Sequence, residues 1–284
     1  MSVTQPALSK TLKELEALLA VRLFERGRLG AALTPAGTAF LHPARACVEA
    51  LRGAVASVSP GSGPLAASVA IGVLPTVAPC LIGPLLAGLD AADSRTKLRI
   101  VTGSNPELLA RLRQRELDLV LGRFAEPAQM AGLSFEHLYA DPLVLALRPG
   151  HPLLADTAQR GDPLAQLQNF TLILPTAGTA IRHSADSFLL ARGVDARAMR
   201  TIETLSVGIA REHTLASDAV WVSPRGAVER ELQGGSLVAL SVSMAGTEEL
   251  VGLSLRADMH ASAAQGQVLA LIRTLAAQRR LALS

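Results

Sequence analysis

Gln5, Ser9 and Lys13 fall four residues apart with Lys10 beside them, so on an α-helix all four share one side. A Gln amide can pair with the edge of adenine in the major groove, while Ser and Lys reach phosphate oxygens. Thr4 is a good N-cap for that helix and Pro6 is tolerated in its first turn. Arg22, Arg26 and Arg28 follow around a turn bracketed by Gly27 and Gly30, where a small basic hairpin could approach the backbone or minor groove. A plain solvated helix face would present the same polar residues, so the segments that follow carry the distinction.

A second group of polar residues recurs at the ends of candidate strands further along. Thr76, Ser104 with Asn105, Arg123, and Thr176 with Thr179 offer hydroxyls, amides and one guanidinium. Such donors suit a small carboxylate bound outside the carboxyl ends of an open α/β sheet. Each also has an ordinary structural use, and Ser104 ahead of Asn105-Pro106 is a good helix cap.

The elements that must position these groups follow from periodicity. Leu8, Leu12, Leu15 and Leu19 give an amphipathic helix over about residues 5–20. Thr34-Pro35 starts another helix, along which Phe40, Ala44, Cys47, Leu51, Ala54 and Val58 alternate four and three apart as a heptad seam. Such a seam predicts a partner helix; a single amphipathic helix lying on the next domain would read the same way. Residues 59–64, SPGSGP, read as a linker. Beyond them strands and helices alternate, which predicts a parallel sheet with crossover helices. Strands are expected at 67–73, 98–103, 118–122, 170–175, 219–223, 236–240 and 250–256, with a further extended segment from Ser134 to Leu147. Helices are expected near 79–89, 106–115, 182–192, 205–214, 225–232 and 261–280. The arrangement predicts two α/β lobes joined by crossing strands, with the last segment returning to the first lobe.

Composition narrows the function classes. The 284 residues are 49% hydrophobic, enough for about two domains with real cores. Residues 1–52 carry seven Lys or Arg against four Glu, leaving 20 charges of each sign in residues 53–284, so the whole excess of +3 is N-terminal. A basic segment ahead of a neutral body fits a nucleic-acid footprint. Two cysteines cannot make a disulfide framework, and no Cys/His cluster has metal-ligand spacing. No metal or cofactor is expected, and Cys47 and Cys80 are expected to be quiet, buried thiols. His42, His137, His151, His183, His213 and His260 are scattered, and neither a Gly-x-Ser-x-Gly elbow nor a phosphate-binding glycine loop occurs, so catalysis has little support. No export signal or bilayer-spanning apolar run is seen, which predicts a cytoplasmic protein without a membrane partner.

The run TQPALSKTLKELEALLAVRLFERG, followed by LTPAG, resembles the recognition helix, wing and linker-helix start of LysR-type transcriptional regulators. VTGSNPELLARLRQRELDLVLGR and ASDAVWVSPRGAVERELQGGSLVAL are similar to the inducer domain of that family. LPTAGTAIRHSADSFLLARGV looks most like regulators of protocatechuate and related aromatic or sugar-acid catabolism. The resemblance implies an α/β chain made of a partial winged helix-turn-helix (1–34), a linker helix and hinge (35–64) and a two-lobed, periplasmic-binding-protein-like effector domain. Its first lobe would be 65–124 with 257–284 and its second 125–256. The helix-turn-helix reads as partial because two helices would precede the recognition helix in that family, and here Met1 lies three residues before Thr4. Implied partners are double-stranded DNA in the full-length form, a small carboxylate effector, further copies in a homodimer or homotetramer, and RNA polymerase. A two-lobed solute-binding remnant without DNA binding is the alternative.

Overall fold

The structure, a computed structural model, describes residues 5–27, 30–41, 44, 47, 48, 68–155 and 162–283. Thr4, Arg28, Leu51, Ala54 and Val58 lie outside them. The chain divides into two compact units, 1–66 and 67–284.

In the first unit, helix α1 (Gln5–Leu19) half-buries Leu12 and Leu15 and ends at Ala20, whose φ of 53° lies in the left-handed region. The Glu16 carboxylate accepts the amides of Leu23 (2.7 Å) and Phe24 (3.0 Å), fixing the chain as it leaves the helix. β1 (Phe24–Gly27) and β2 (Gly30–Leu33) then form an antiparallel hairpin with Gly27 opposite Gly30. Thr34 closes it: its hydroxyl donates to the Arg22 carbonyl (2.7 Å) and accepts the Gly37 amide (2.9 Å), capping a helix, α2, that runs over 35–41. A Cβ on Gly37 would lie 2.0 Å from the Leu23 carbonyl oxygen, so only glycine lets α2 begin this close to the hairpin. Of the heptad seam, Phe40 and Ala44 are half-buried while Cys47 is exposed, not buried as expected; the other three positions lie outside the described residues.

The second unit contains two five-stranded sheets. The first comprises β3 (Ser68–Val73), β4 (Lys97–Thr102), β5 (Leu119–Arg123), β6 (Leu133–Asp141) and β12 (Glu249–Arg256) in the order β4-β3-β5-β12-β6. β3 is parallel to β4 and β5, and β12 runs antiparallel between β5 and β6. Helices α3 (Ala78–Ala91), α4 (Asn105–Arg113) and α8 (Ala263–Leu283) cover it. Their i, i+4 apolar rows make the core: Leu81, Leu85 and Leu89, then Leu108 and Leu112, then Val268, Ile272 and Ala276, all buried.

The second sheet comprises β7 (Leu143–Leu147), β8 (Leu172–Leu174), β9 (Thr201–Glu203), β10 (Val220–Pro224) and β11 (Val238–Ala239), in the order β11-β7-β10-β8-β9. β8, β9 and β10 are parallel, and α5 (Ala180–Ala191), α6 (Val207–Ala216) and α7 (Arg225–Gln233) follow them in turn. Every residue of β7 and β10 is buried, the apolar run expected of strands covered on both faces.

The chain passes between the sheets twice, at Pro142 and between β11 and β12. The two passages are tied together, since the Leu143 amide donates to the buried Thr247 hydroxyl at 3.0 Å. β6 and β12, which the sequence placed within the second lobe (125–256), instead hydrogen-bond into the first sheet. Pro142 explains the difference: it cannot donate to a ladder, so what reads as one extended segment from Ser134 to Leu147 breaks into two strands of different sheets. β9 was not expected at all.

Two consequences can be tested. β12 carries an irregularity at Val251/Gly252, where a Cβ on Gly252 would lie 2.5 Å from the Glu136 carbonyl oxygen and 2.3 Å from the Phe135 ring. Gly252→Ala should therefore destabilise the second unit by about 1–3 kcal/mol, read as a lower thermal midpoint, whereas an unchanged midpoint would mean the strand relaxes freely.

His151 is 1% exposed, packs on the Phe170 ring and accepts the Leu153 amide at Nδ1 (3.0 Å). Its other nitrogen is then protonated and donates to the Asp218 carbonyl (3.1 Å). Burial pushes its pKa down, opposed by the bond to Asp218. Above the ordinary histidine pKa of about 6.5 both folded and unfolded chains hold a neutral ring, and the contribution to stability is complete. As the pH falls through that value the unfolded chain takes up a proton the folded one resists, so stability declines. In His151→Asn the side-chain oxygen can replace Nδ1 as the cap without titrating, and the loss of thermal stability between pH 7 and 5 should shrink. Equal slopes for the two proteins would show that other groups govern it.

Candidate functional site

The basic face of α1 is present as backbone and exposed charge. Gln5 and Pro6 open the helix; Ser9 is half-buried, and Lys10 and Lys13 are exposed. Lys10 lies 3.9 Å from Glu14 one turn on, and with 81% and 61% of their side chains exposed the pair leaves the Lys10 charge available to another anion. Arg22 is exposed beside the hairpin and Arg26 lies on β1. A helix followed by a basic two-stranded hairpin puts major-groove and backbone donors in one small unit.

In the second unit, a cleft opens where the carboxyl ends of β3, β8, β9 and β10 meet. Thr76, Pro175, Ile181, Thr204, Leu205, Ser206, Val207, Ala210, Trp221, Val222 and Pro224 line it. Its wall is apolar, from Ile181, Leu205 and Trp221, and its polar groups are hydroxyls and the start of α6. Ser206 caps that helix by accepting the Ile209 amide (3.4 Å), and its own amide donates to the Thr204 hydroxyl (3.0 Å). The positive end of the α6 dipole therefore faces the cleft. As it stands the cleft has interior room on the scale of one water molecule.

Behind Thr76 lies a buried ion pair. Arg123 ends β5 and is 4% exposed; Asp141 ends β6 and is fully buried. Arg123 Nη2 lies 3.3 Å from Asp141 Oδ2, and Nη1 donates to the Thr76 hydroxyl at 2.9 Å, while Nε has no hydrogen-bond partner among the described residues. Asp141 Oδ1 accepts the Gly226 amide (2.9 Å) in the first turn of α7. Burial raises the Asp141 carboxyl and lowers the Arg123 guanidinium, and the charge of each opposes that shift in the other.

A second polar group adjoins it. The Cys80 thiol lies 3.1 Å from the Tyr139 hydroxyl, Arg279 sits 4.8 Å above the Tyr139 ring, and Arg279 is paired with Glu229. Burial raises both the Cys80 thiol and the Tyr139 phenol, which keeps the thiol protonated, and Cys80 is half-buried where full burial was expected.

Of the six effector positions read from the sequence, the structure brings Thr76 and Arg123 into one bonded group and puts Thr76 in the cleft wall. Arg123 does not face the cleft as a free cation, because Thr76 and Asp141 occupy it. The Asn105 amide donates to the Arg123 carbonyl (2.9 Å), bracing the end of β5. Ser104 caps α4, and Thr179 caps α5 while donating to the Thr176 carbonyl (2.8 Å), one residue from the cleft-lining Pro175. Sequence reasoning missed Thr204, Ser206 and Asp141. The first two follow from the unrecognised strand β9: a Thr-x-Ser before an apolar helical run is a cap signal, and an intervening strand would have marked it as a strand end. For Asp141 the available signal was Asp-Pro interrupting an otherwise continuous apolar segment.

Among the described residues no group of His, Cys, Asp or Glu could hold a metal ion, and no helix is long and apolar enough to cross a membrane.

Comparison with known proteins agrees with this division. Residues 1–38 match the bacterial regulatory helix-turn-helix family of lysR type, and residues 62–277 match the LysR substrate binding domain. The HTH-type transcriptional regulator PcaQ of Agrobacterium fabrum is 39% identical over 262 residues, 92% of this chain and 83% of that protein. The HTH-type regulator YdcI of Escherichia coli is 38% identical over 258 residues, 91% of this chain and 82% of that one. Among solved structures, a full-length OxyR variant from Pseudomonas aeruginosa shares the fold, with a TM-score of 0.65 at 24% identity over 96% of this chain and 86% of that one. With an α/β body of two sheets, a helix-and-hairpin unit ahead of it and regulators rather than enzymes as its relatives, the chain belongs to the LysR family of transcriptional regulators.

Proposed function

We propose that this regulator is switched by a small carboxylate, an aromatic or sugar-acid catabolic intermediate, bound in the cleft between its two sheets. The observation that carries the reading is the cleft itself: Thr76, Thr204, Ser206 and the N-terminus of α6 are donors without a formal cation among them, set against an apolar wall. That combination suits a carboxylate attached to a small hydrocarbon skeleton. The Thr76 hydroxyl accepts from Arg123, so its own hydrogen is left to donate to the effector, with the guanidinium strengthening it from behind. Ser104, Asn105, Thr176 and Thr179 belong to the rim of the same site. The resemblance of residues 174–194 to regulators of protocatechuate and related catabolism favours an acid of that class.

A pocket for such an acid spans roughly 300–1,000 Å³, far more than the closed cleft offers, so binding requires the sheets to separate about the two passages at Pro142 and Thr247. Effector affinity and lobe opening are then linked, and an oligomer bound to DNA can be biased by the effector. The DNA-reading part is residues 1–34, with Thr4, Gln5, Pro6, Ser9, Lys10, Lys13, Arg22, Arg26 and Arg28 at the duplex. Residues 35–64 form the linker, whose seam from Phe40 to Val58 joins copies into a homodimer or homotetramer. Action is in the cytoplasm, with RNA polymerase as a further partner.

Two measurements test this. Calorimetry against protocatechuate-pathway acids and their methyl esters should show binding that depends on the carboxylate. Thr76→Val should weaken it about ten- to a hundredfold, the equivalent of one charge-assisted bond of roughly 1.5–3 kcal/mol. Acids and esters binding alike would overturn the assignment of the cleft. In mobility-shift titrations of the operator-binding form, Lys13→Ala should lower affinity for all sequences and flatten the salt dependence, whereas Gln5→Ala should chiefly relax sequence preference. The reverse pattern would place α1 differently on the duplex.

A further inference from the structure

Asp141 has two bonds that ask different things of it. Toward Gly226 it needs only an acceptor oxygen, and an amide side chain would supply one equally well. Its negative charge acts first on Arg123, the two groups lying 3.3 Å apart and 4% and 0% exposed, with Arg279 a weaker second counter-charge. Arg123 in turn reaches the cleft through the Thr76 hydroxyl, at 2.9 Å. A pair of opposite charges this close acts on a ligand a few ångströms away as a dipole, whereas the guanidinium by itself would act as a full charge in a poorly screened setting. The other positive source facing the cleft, the α6 N-terminus, is worth about half a charge. Whether Arg123 is compensated therefore decides the sign and strength of the field in the cleft.

We propose that Asp141 is a specificity-determining residue of the effector cleft: by cancelling Arg123 it sets how strongly the site prefers an anion over a neutral molecule of the same shape. The proposal rests on the carboxylate reading above and deepens it. A cleft so balanced recognises a carboxylate by its hydrogen-bonding oxygens and releases it readily, instead of trapping any small anion on an unpaired guanidinium. The unpartnered Nε of Arg123 is consistent with this, since the guanidinium keeps a donor in reserve that a stronger anion site would use.

The test is a charge cycle on the whole chain: wild type, Asp141→Asn, Arg123→Met and the double variant. Formate and formamide, an anion and its neutral counterpart, serve as probes that need no knowledge of the natural effector, and protocatechuate with its methyl ester serves as the larger pair. Preference is read as the ratio of affinities from thermal-shift titration and calorimetry. Asp141→Asn keeps the acceptor for Gly226 and should raise the formate-over-formamide preference at least tenfold; Arg123→Met, which leaves Asp141 unpaired, should drop it below wild type. The double variant should fall between the two single variants. An unchanged preference in Asp141→Asn, or a double variant as poor as Arg123→Met, overturns the proposal. If Asp141→Asn unfolds because its guanidinium is left unpaired, formate but not formamide should restore folding, and failure of that rescue also overturns it. A wild type that ignores every aromatic acid tested, while Asp141→Asn still gains formate preference, would sink the effector class and leave the role of Asp141 standing.

Discussion

A guanidinium and a carboxylate taken out of water lose several kcal/mol of hydration each, and they can be buried together only if every segment carrying a partner is brought to the same point. Here that point gathers Arg123 from the end of β5, Asp141 from the end of β6, Thr76 from the loop after β3 and the Gly226 amide from the start of α7. Three of these belong to the first sheet and its loops, and the fourth to a helix packed on the second. The requirement to satisfy one ion pair thus fixes where two strands stop, where a helix starts and how the two sheets meet. Pro142 follows at once, ending the ladder so that the chain can leave.

The same economy of polar groups explains the character of the cleft. Most donors at the strand ends are already used: Ser104 and Thr179 as helix caps, Asn105 as a brace on Arg123, Arg182 on Asp186 and Glu203. What faces the opening is the remainder, a few hydroxyls and a helix N-terminus beside Trp221 and Leu205. Weak, directional donors on an apolar wall suit the small acid proposed above, recognised by shape and hydrogen bonding, as a signal that must come and go.

Much of this was legible in the sequence, for physical reasons that differ by element. The i, i+4 leucine rows of α3 and the apolar runs of β5 and β10 sit in strong local periodicity, and the hairpin of β1 and β2 is marked by its paired glycines. The capping role of Ser104 is local too. β9, at three residues, is too short to show a period, and Thr204 and Ser206 were lost with it. The pairing of β6 and β12 with the first sheet, and of Arg123 with Asp141, depends on contacts between residues far apart in the chain. Side-chain type announced Arg123 as a candidate ligand for a carboxylate; only the fold shows that the carboxylate it has is the protein's own.

The stiffness around the cleft is consequently uneven. Among the described residues α7 is joined to elements of the first sheet through the Gly226 amide on Asp141 and through Glu229 paired with Arg279 of α8. Gly226 is also tightly packed, since a Cβ there would lie 2.9 Å from Arg279 Nη2, 3.2 Å from Asp141 Oδ2 and 3.3 Å from the Cys80 sulfur and would push these groups aside. Among the described residues α5 has one such tie, between Ser184 and Glu249 at the start of β12. α6, which supplies Ser206, Val207 and Ala210 to the cleft wall, has no polar bond to the first sheet among the described residues. Polar bonds are short-ranged and lost on small displacements, whereas apolar surfaces can slide or part at a cost that rises gradually with exposed area. The wall built from β9 and α6 is therefore the side of the cleft that yields most cheaply, and it is the side whose helix dipole faces an incoming anion.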